Sequence, residues 1–257
     1  MTQPTENSTP DPAQDTVTAA LLVIGDEILS GRTVDKNINK LATHCTDIGI
    51  RLSEVRIVSD QSQAIIGALN ELRERYSYVF TTGGIGPTHD DITAQSVADA
   101  LGVPLPENPE ALAILEDHYP SGALTDARRL MARVPEGGVL VQNSISAAPG
   151  FMIENVIVMA GVPSIVEVML DDVTPKLRTG KKLLSKTVQV RHPESFVATL
   201  LLELQNEYEG IAIGSYPYFR DGVVGTTVVM RGVDEEGLSK ASQQLQDQLT
   251  KMDMRFS

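Results

Sequence analysis

Cysteine is almost missing. A single residue, Cys45, in 257 excludes an internal disulfide and a cysteine-rich zinc site, and it fits a reducing, cytoplasmic setting. No long uncharged apolar run is present, so no membrane span is expected. Met1 to Asp15 lacks the charged and apolar regions of a secretory signal. Its Thr, Pro, Gln, Asp and Asn content predicts a disordered tail over residues 1–16. Basic charge is scarce as well: 21 Lys and Arg face 34 Asp and Glu, a net charge of -13. The shortage is uneven, with 10 Lys and Arg against 24 Asp and Glu through Thr174 and 11 against 10 from Pro175 on. The acidic part would repel a nucleic-acid backbone, so neither nucleic acid nor membrane is expected as a partner. No G-x-S-x-G elbow supports a serine hydrolase.

What remains is a globular composition, 42% hydrophobic, with a clear rhythm. Ala19 to Ile24 is a continuous apolar run, as expected of a strand buried on both faces. Ile38, Leu41, Ala42, Cys45 and Ile48 follow with helical spacing, and Gly49 ends the pattern. Ile50 to Val58 predicts a second strand. Ser62 is placed to cap a helix carrying Ile65, Ile66, Leu69 and Leu72, and Tyr78 to Phe80 predicts a third strand. Alternation of strands and helices predicts a parallel sheet with right-handed crossovers. Short helices are expected at Ala111–Tyr119 and Thr125–Ala132. A strand at 139–141, a hairpin of 151–153 with 156–159, and a helix capped by Ser164 complete a first domain, residues 17–175. A linker at Pro175–Gly180 leads to residues 176–257, whose β-α-β-β-α order predicts a small α+β domain.

The third strand runs into Thr81-Thr82-Gly83-Gly84-Ile85-Gly86-Pro87-Thr88-His89-Asp90-Asp91-Ile92-Thr93, and a helix pattern leaves it. Glycine lets backbone N–H groups approach a ligand, and a helix start adds unpaired donors, so the loop suits an anion. It has no P-loop lysine and, at His89, no third glycine of a dinucleotide fingerprint. Its two aspartates stand where a phosphate binder would want cations, which points to a divalent metal between acids and phosphate. A plain strand-to-helix turn with an Asp cap fits the same residues. In a parallel sheet Asp26 and Glu27 after strand one, Asp60 after strand two and Asp90 and Asp91 after strand three converge on one rim. Arg128 or Arg129 is a further candidate for a phosphate.

Gly25-Asp26-Glu27-Ile28-Leu29-Ser30-Gly31 and the Thr81–Thr93 loop together resemble the MoaB/Mog molybdopterin-binding domain, in the branch of CinA and the front half of FAD synthase. Asn143 with Ala148-Pro149-Gly150-Phe151, and Gly161-Val162-Pro163, are similar to later motifs of that branch. Gly214-Ser215-Tyr216-Pro217 resembles part of the small domain that follows. The resemblance implies an α/β fold of three layers, a mostly parallel sheet flanked by helices, and a homo-oligomer, dimer or trimer. It implies a small phosphate-containing ligand and a metal-dependent pyrophosphatase acting on ADP-ribose or FAD with Mg, Mn or Co. The alternative is a non-catalytic molybdopterin- or nucleotide-binding protein of molybdenum cofactor metabolism. Carried over by position, Asp60 and Asp91 are the catalytic residues, and Asp60, Asp90 and Asp91 the metal ligands. Gly25, Asp26, Glu27, Gly83, Gly84, Gly86, Pro87, Thr88, Asn143, Pro149, Gly150, Gly161 and Pro163 are the ligand-binding residues. The chain departs from the branch at Val34-Asp35-Lys36-Asn37, which keeps one of two usual asparagines. It also departs at Ala160 and at Ser146-Ala147. Deamidase and adenylyltransferase activities are expected to be absent.

Overall fold

The computed structural model describes residues 16–220 and 222–257; the expected tail, Thr16 apart, lies outside them. The described chain forms two compact units that divide between Gly180 and Lys181. No helix among the described residues is long and apolar enough to cross a membrane.

The first unit runs β1 (Val17–Ile24), α1 (Asp26–Leu29), α2 (Asn37–Asp47), β2 (Ile50–Val58), α3 (Ser62–Arg75), β3 (Tyr78–Thr82) and α4 (Thr93–Leu101). It continues with α5 (Pro109–His118), α6 (Asp126–Arg129), β4 (Val139–Val141), β5 (Gly150–Ile153), β6 (Val156–Met159) and α7 (Pro163–Val173). The strand order is β2-β1-β3-β6-β5-β4. β2, β1, β3 and β6 are parallel, and β5 is antiparallel to both of its neighbours.

β1 explains the three layers. Its side chains alternate across the sheet, as the period of two requires. Ala20, Leu22 and Ile24 join a core with Leu69 and Leu72 of α3, Val97 of α4 and Leu115 of α5. Ala19, Leu21 and Val23 join the opposite core with Leu41 and Cys45 of α2 and Val166, Met169 and Leu170 of α7. Helices therefore cover both faces.

Two local readings change, and one gap is filled. Gly25–Gly31, a motif given no secondary structure from the sequence, contains a one-turn helix, α1. Neither Ser62 nor Ser164 is a cap: each lies inside its helix, behind Gln61 and Val162, and neither N-cap makes a side-chain bond. The stretch read as a linker is held by the first unit. Leu177 is buried, the Arg178 N–H donates to the Tyr78 hydroxyl at 2.7 Å, and Gly180 N–H donates to Gly49 O at 3.1 Å.

The second unit is β7 (Leu184–Val190), α8 (Ala198–Glu207), β8 (Ala212–Arg220), β9 (Val223–Gly232) and α9 (Glu235–Lys251). Its antiparallel sheet has the order β7-β9-β8. Val188, Val228 and Met230 pack against Leu201 and Leu204 of α8 and Leu238 and Leu245 of α9. β8 runs as far as Arg220 because pairing with β9 continues through Tyr216-Pro217-Tyr218. Pro217 is tolerated there because β8 is an edge strand, where a missing N–H is least costly.

Candidate functional site

The carboxyl ends of β1, β2, β3 and β6 share one edge, and the loops after them interlock. Gly25 N–H donates to Val58 O at 3.1 Å, and Asp26 N–H to Asp60 Oδ2 at 2.8 Å. Asp60 is partly buried. Burial lifts its carboxyl above the ordinary range, the Asp26 N–H opposes this, and the charges of Asp26, Glu27 and Asp90 raise it further. An acid with a raised pKa among other acids favours a proton or a cation. The Glu27 carboxylate folds back over Gly25: a Cβ at Gly25 would lie 2.6 Å from its Oε1.

The glycine loop is pinned on three sides. Gly83 has φ +104°, and a Cβ there would lie 2.2 Å from Ile24 O at the end of β1. Gly83 N–H donates to Met159 O of β6 at 3.2 Å. Thr93, the first residue of α4, donates through Oγ1 to Gly83 O at 2.9 Å and through its N–H to Gly84 O at 3.0 Å. Gly86 leaves room for Asp91, whose Oδ2 would be 2.6 Å from a Cβ there. The Thr88 N–H donates to that Oδ2 at 2.8 Å. The Thr88 hydroxyl lies 2.5 Å from Asp90 Oδ1 and 2.6 Å from Asp91 Oδ2. Its one proton serves one carboxylate at a time. Neither aspartate caps α4, whose N-cap is Ile92 without a side-chain bond, so the plain capping reading does not describe this turn. Pro87, Thr88 and His89 are exposed.

Beside this loop is a cavity of about 250 Å³, lined by Glu27, Gly83, Gly161 and Pro163 of the expected site. Thr33 to Asn37 and Thr82 complete the lining together with Val23, Ile24 and Ile28. Asn37 is 4% exposed and donates through Nδ2 to Gly161 O at 2.7 Å, tying the start of α2 to the loop after β6. Gly161 is open toward Gly83: a Cβ would meet Gly83 Cα at an ordinary 3.4 Å. Lys36 is the cation in this lining. Sequence reasoning did not name Thr33 to Asn37 or Thr82 as site residues, although Val34-Asp35-Lys36-Asn37 stood out as a variant motif of the branch and Thr82 opens the glycine loop.

The remaining expected residues separate. Gly86, Asp91 and Pro149 line a narrow crevice of about 60 Å³ with Gln95 and Arg133. Asn143 is consumed by its own loop: Nδ2 donates to Ser146 Oγ and Ala148 O, and Oδ1 accepts from the Ile145 and Ser146 N–H groups. Gly150 serves the sheet, since a Cβ there would lie 2.1 Å from Val158 O. Asn143 and Gly150 therefore frame the site and are not free to bind. Arg128 lies over the Tyr119 ring at 4.4 Å, and Arg129 pairs with Glu107 at 2.7 Å, which removes both as phosphate candidates. Among the described residues no three His, Cys, Asp or Glu side chains are grouped to hold a metal ion, so Asp60, Asp90 and Asp91 are not a preformed cage.

Residues 20–179 match the family described as probable molybdopterin binding domain, and residues 182–255 match the FAD synthase middle domain. The chain is 33% identical over 210 residues to a protein of Pyrobaculum arsenaticum, covering 77% of this chain and 79% of that one. It is 32% identical over 217 residues to a CinA-like protein of Chlorobium phaeobacteroides, covering 79% of this chain and 51% of that longer relative. The crystal structure of CinA from Thermoplasma acidophilum superposes with a TM-score of 0.60 at 30% identity, over 63% of this chain and 98% of that one.

Proposed function

The chain belongs to the molybdopterin-binding domain family of MoaB and Mog, and from that premise we propose that it is a metal-dependent pyrophosphatase cleaving a nucleotide diphosphate linkage of the ADP-ribose or FAD type. The observation that carries this reading is the shared rim, where Asp60, held by the Asp26 N–H, stands at the same sheet edge as the glycine loop and its two aspartates. The match of the second unit to an FAD synthase domain supports a nucleotide ligand.

The rim fits a hard divalent cation in its chemistry, because its donors are oxygens: the carboxylates of Asp60, Asp90 and Asp91 and the Thr88 hydroxyl. Separated carboxylates suit magnesium, which is commonly held by one or two of them plus water and substrate phosphates. When bound, such an ion supplies charge neutralisation on the phosphate oxygens. The chain does the rest. Backbone N–H groups of Gly84 and Gly86 would receive the phosphates, while Asp90 and Asp91 would hold the ion. Asp60, just past the end of β2, would accept the proton of a water attacking in line. The P–O–P bond breaks, and AMP leaves with the second phosphate product.

The test incubates the full chain with ADP-ribose and with FAD, each with Mg²⁺, Mn²⁺ or Co²⁺. AMP release is expected with at least one pair, and Asp91→Ala reduces the rate by at least ~10²-fold. No AMP under any condition, or an unchanged rate in that variant, overturns the proposal. The cavity beside the rim favours one second reading, a protein that holds a nucleotide or molybdopterin without turnover. Tight binding by calorimetry with no hydrolysis would select it.

A further inference from the structure

The strands of the second unit contain no acid. β7, β8 and β9 carry Lys186, Arg220 and Arg231 but neither Asp nor Glu. The acids of the unit sit on its helices and turns, among them Glu203 and Glu207 on α8 and Glu235 and Asp247 on α9. Both helices pack against one face of the sheet, through Val188, Val228 and Met230. Side chains alternate along a strand and paired residues share a face, so the register puts Gln189, Thr227 and Tyr216 in one row of the opposite face. By the same alternation Tyr218, Arg220 and Arg231 belong to that face. The C-terminal residues widen it. Phe256 bridges Val190 on the helix side, and the Arg191 N–H donates to Arg255 O at 2.8 Å. Arg191 and Arg255 therefore stand directly opposite each other on the open side. All four arginines and Tyr216 are exposed.

The two tyrosines rest on bare backbone. A Cβ at Gly225 would lie 2.3 Å from Tyr218 Cζ, and one at Gly214 would lie 3.1 Å from the Tyr216 hydroxyl oxygen. Arg220 Cζ is 5.9 Å from the Tyr218 ring centroid, within reach of a cation–π contact. Packing on glycine accounts for where the rings lie, but not for the single sign of the charge around them. Like charges directly opposite each other on a sheet are destabilising. Among the described residues Arg191, Arg231 and Arg255 have no ion pair or side-chain hydrogen bond. Asp253 lines a hollow of about 440 Å³ with Arg191 and Arg255, yet it pairs with neither. A ligand carrying flat rings and repeated negative charge would answer both features.

We infer that this sheet face binds single-stranded nucleic acid, with bases stacked on Tyr216 and Tyr218 and backbone phosphates on the flanking arginines. A duplex keeps its bases from the tyrosines, and a polyanion without rings leaves the tyrosines unused. The acid excess that argues against nucleic acid lies in residues through Thr174, outside this unit. The inference stands apart from any hydrolysis in the first unit.

Fluorescence anisotropy of the full chain at low salt uses labelled oligouridine, oligodeoxythymidine and a duplex of equal length. Calorimetry uses inorganic polyphosphate, which has the charge and no rings. At least one single strand binds, and more tightly than the duplex. Tyr216→Ala weakens single-strand binding by about fivefold or more and leaves polyphosphate binding unchanged, and Tyr216→Phe restores the affinity. Arg191→Ala and Arg255→Ala each weaken every polyanion and lower the slope of log affinity against log salt by about 0.7. Each of these two variants relieves a like-charge pair, so neither should lower the melting temperature, and they carry the test if Tyr216→Ala folds poorly. Failure of both single strands to bind, equal affinity for the duplex, unchanged affinity in Tyr216→Ala, or an unchanged salt slope in the arginine variants overturns the inference. A change of oligomeric state alone in the Tyr216 and Arg191 variants, read by gel filtration, would make the face a contact between copies and overturn it too.

Discussion

The backbone N–H of Asp26 donates to Asp60 Oδ2 at 2.8 Å, joining the ends of two strands 34 residues apart. The bond holds Asp60 in a field of other acids, and burial together with Asp26, Glu27 and Asp90 raises its carboxyl above the ordinary 3.8 despite that hydrogen bond. A raised carboxylate pKa means that the folded state binds the proton more tightly than the unfolded state. The ionised group therefore destabilises the fold above its folded pKa, and the penalty shrinks as pH falls through that value and is gone below the ordinary 3.8. Asp60→Asn keeps an oxygen for the Asp26 N–H and removes the charge. In EDTA at pH 7 its melting temperature should exceed that of the native chain, on the order of 1–2 °C. The difference should close as the pH falls through the raised pKa. A lower melting temperature for the variant at pH 7 would refute this account.

Gly83 and Gly161 face each other across the loops, yet they should respond differently to alanine. At Gly83 the backbone is left-handed, φ +104°, and the new Cβ would press on Ile24 O at 2.2 Å. Strain of this kind costs about 1–3 kcal/mol before the clash is counted. At Gly161 the Cβ meets Gly83 Cα at 3.4 Å, an ordinary contact. Urea titration should show a clear loss of midpoint for Gly83→Ala. For Gly161→Ala the shift should stay within about 0.5 kcal/mol. Equal losses would mean that the loop is not pinned to β1 as described.

The rim was legible in the sequence because it depends on direction alone: parallel strands bring Asp26, Asp60 and the glycine loop to one edge. The sheet was legible because runs such as Ala19 to Ile24 have no polar face to place in water. The cavity was not. Burial of Asn37 depends on Gly161, 124 residues away, and no local pattern records that contact. The end of the first unit was missed for a similar reason. Leu177 is one apolar residue among Lys and Pro, and only the groove that receives it marks the segment as part of the fold. Asn143 and Gly150 were assigned to the ligand by motif, but the motif cannot distinguish a residue that touches the ligand from one that shapes the loop beside it.

His44 predicts a loss of stability on the acid side. Thr174 Oγ1 donates its proton to Leu170 O at 2.6 Å, so it receives one from His44 Nε2 at 2.7 Å. Burial lowers the imidazole below its ordinary 6.5, against the charges of Asp171 and Asp47, which raise it. With the folded pKa depressed, the unfolded state binds more protons between the two values. The contribution is complete above 6.5 and is lost as pH falls through the folded pKa. Replacing the ring by glutamine, His44→Gln, should flatten this part of the melting-temperature profile, leaving the decline caused by other groups. An unchanged slope between pH 6.5 and the folded pKa would show that His44 titrates normally.

Cys45 offers a reporter of the first unit. It lies on α2 with no exposed surface, in the core beneath the sheet, and burial pushes its thiol up to about 12. Thiol chemistry requires both access and the thiolate, and at pH 8 the native chain denies both. A disulfide reagent such as DTNB should therefore leave the folded protein unlabelled, then release one equivalent per chain as urea unfolds it, since no second cysteine exists. The labelled fraction should follow circular dichroism through the same transition if α2 and the sheet open together. Labelling well ahead of that transition would instead place α2 in a separate, weaker unit. The binding of Asn37 to Gly161 at the start of the same helix argues against that outcome, and a ligand in the adjoining cavity should slow the labelling further.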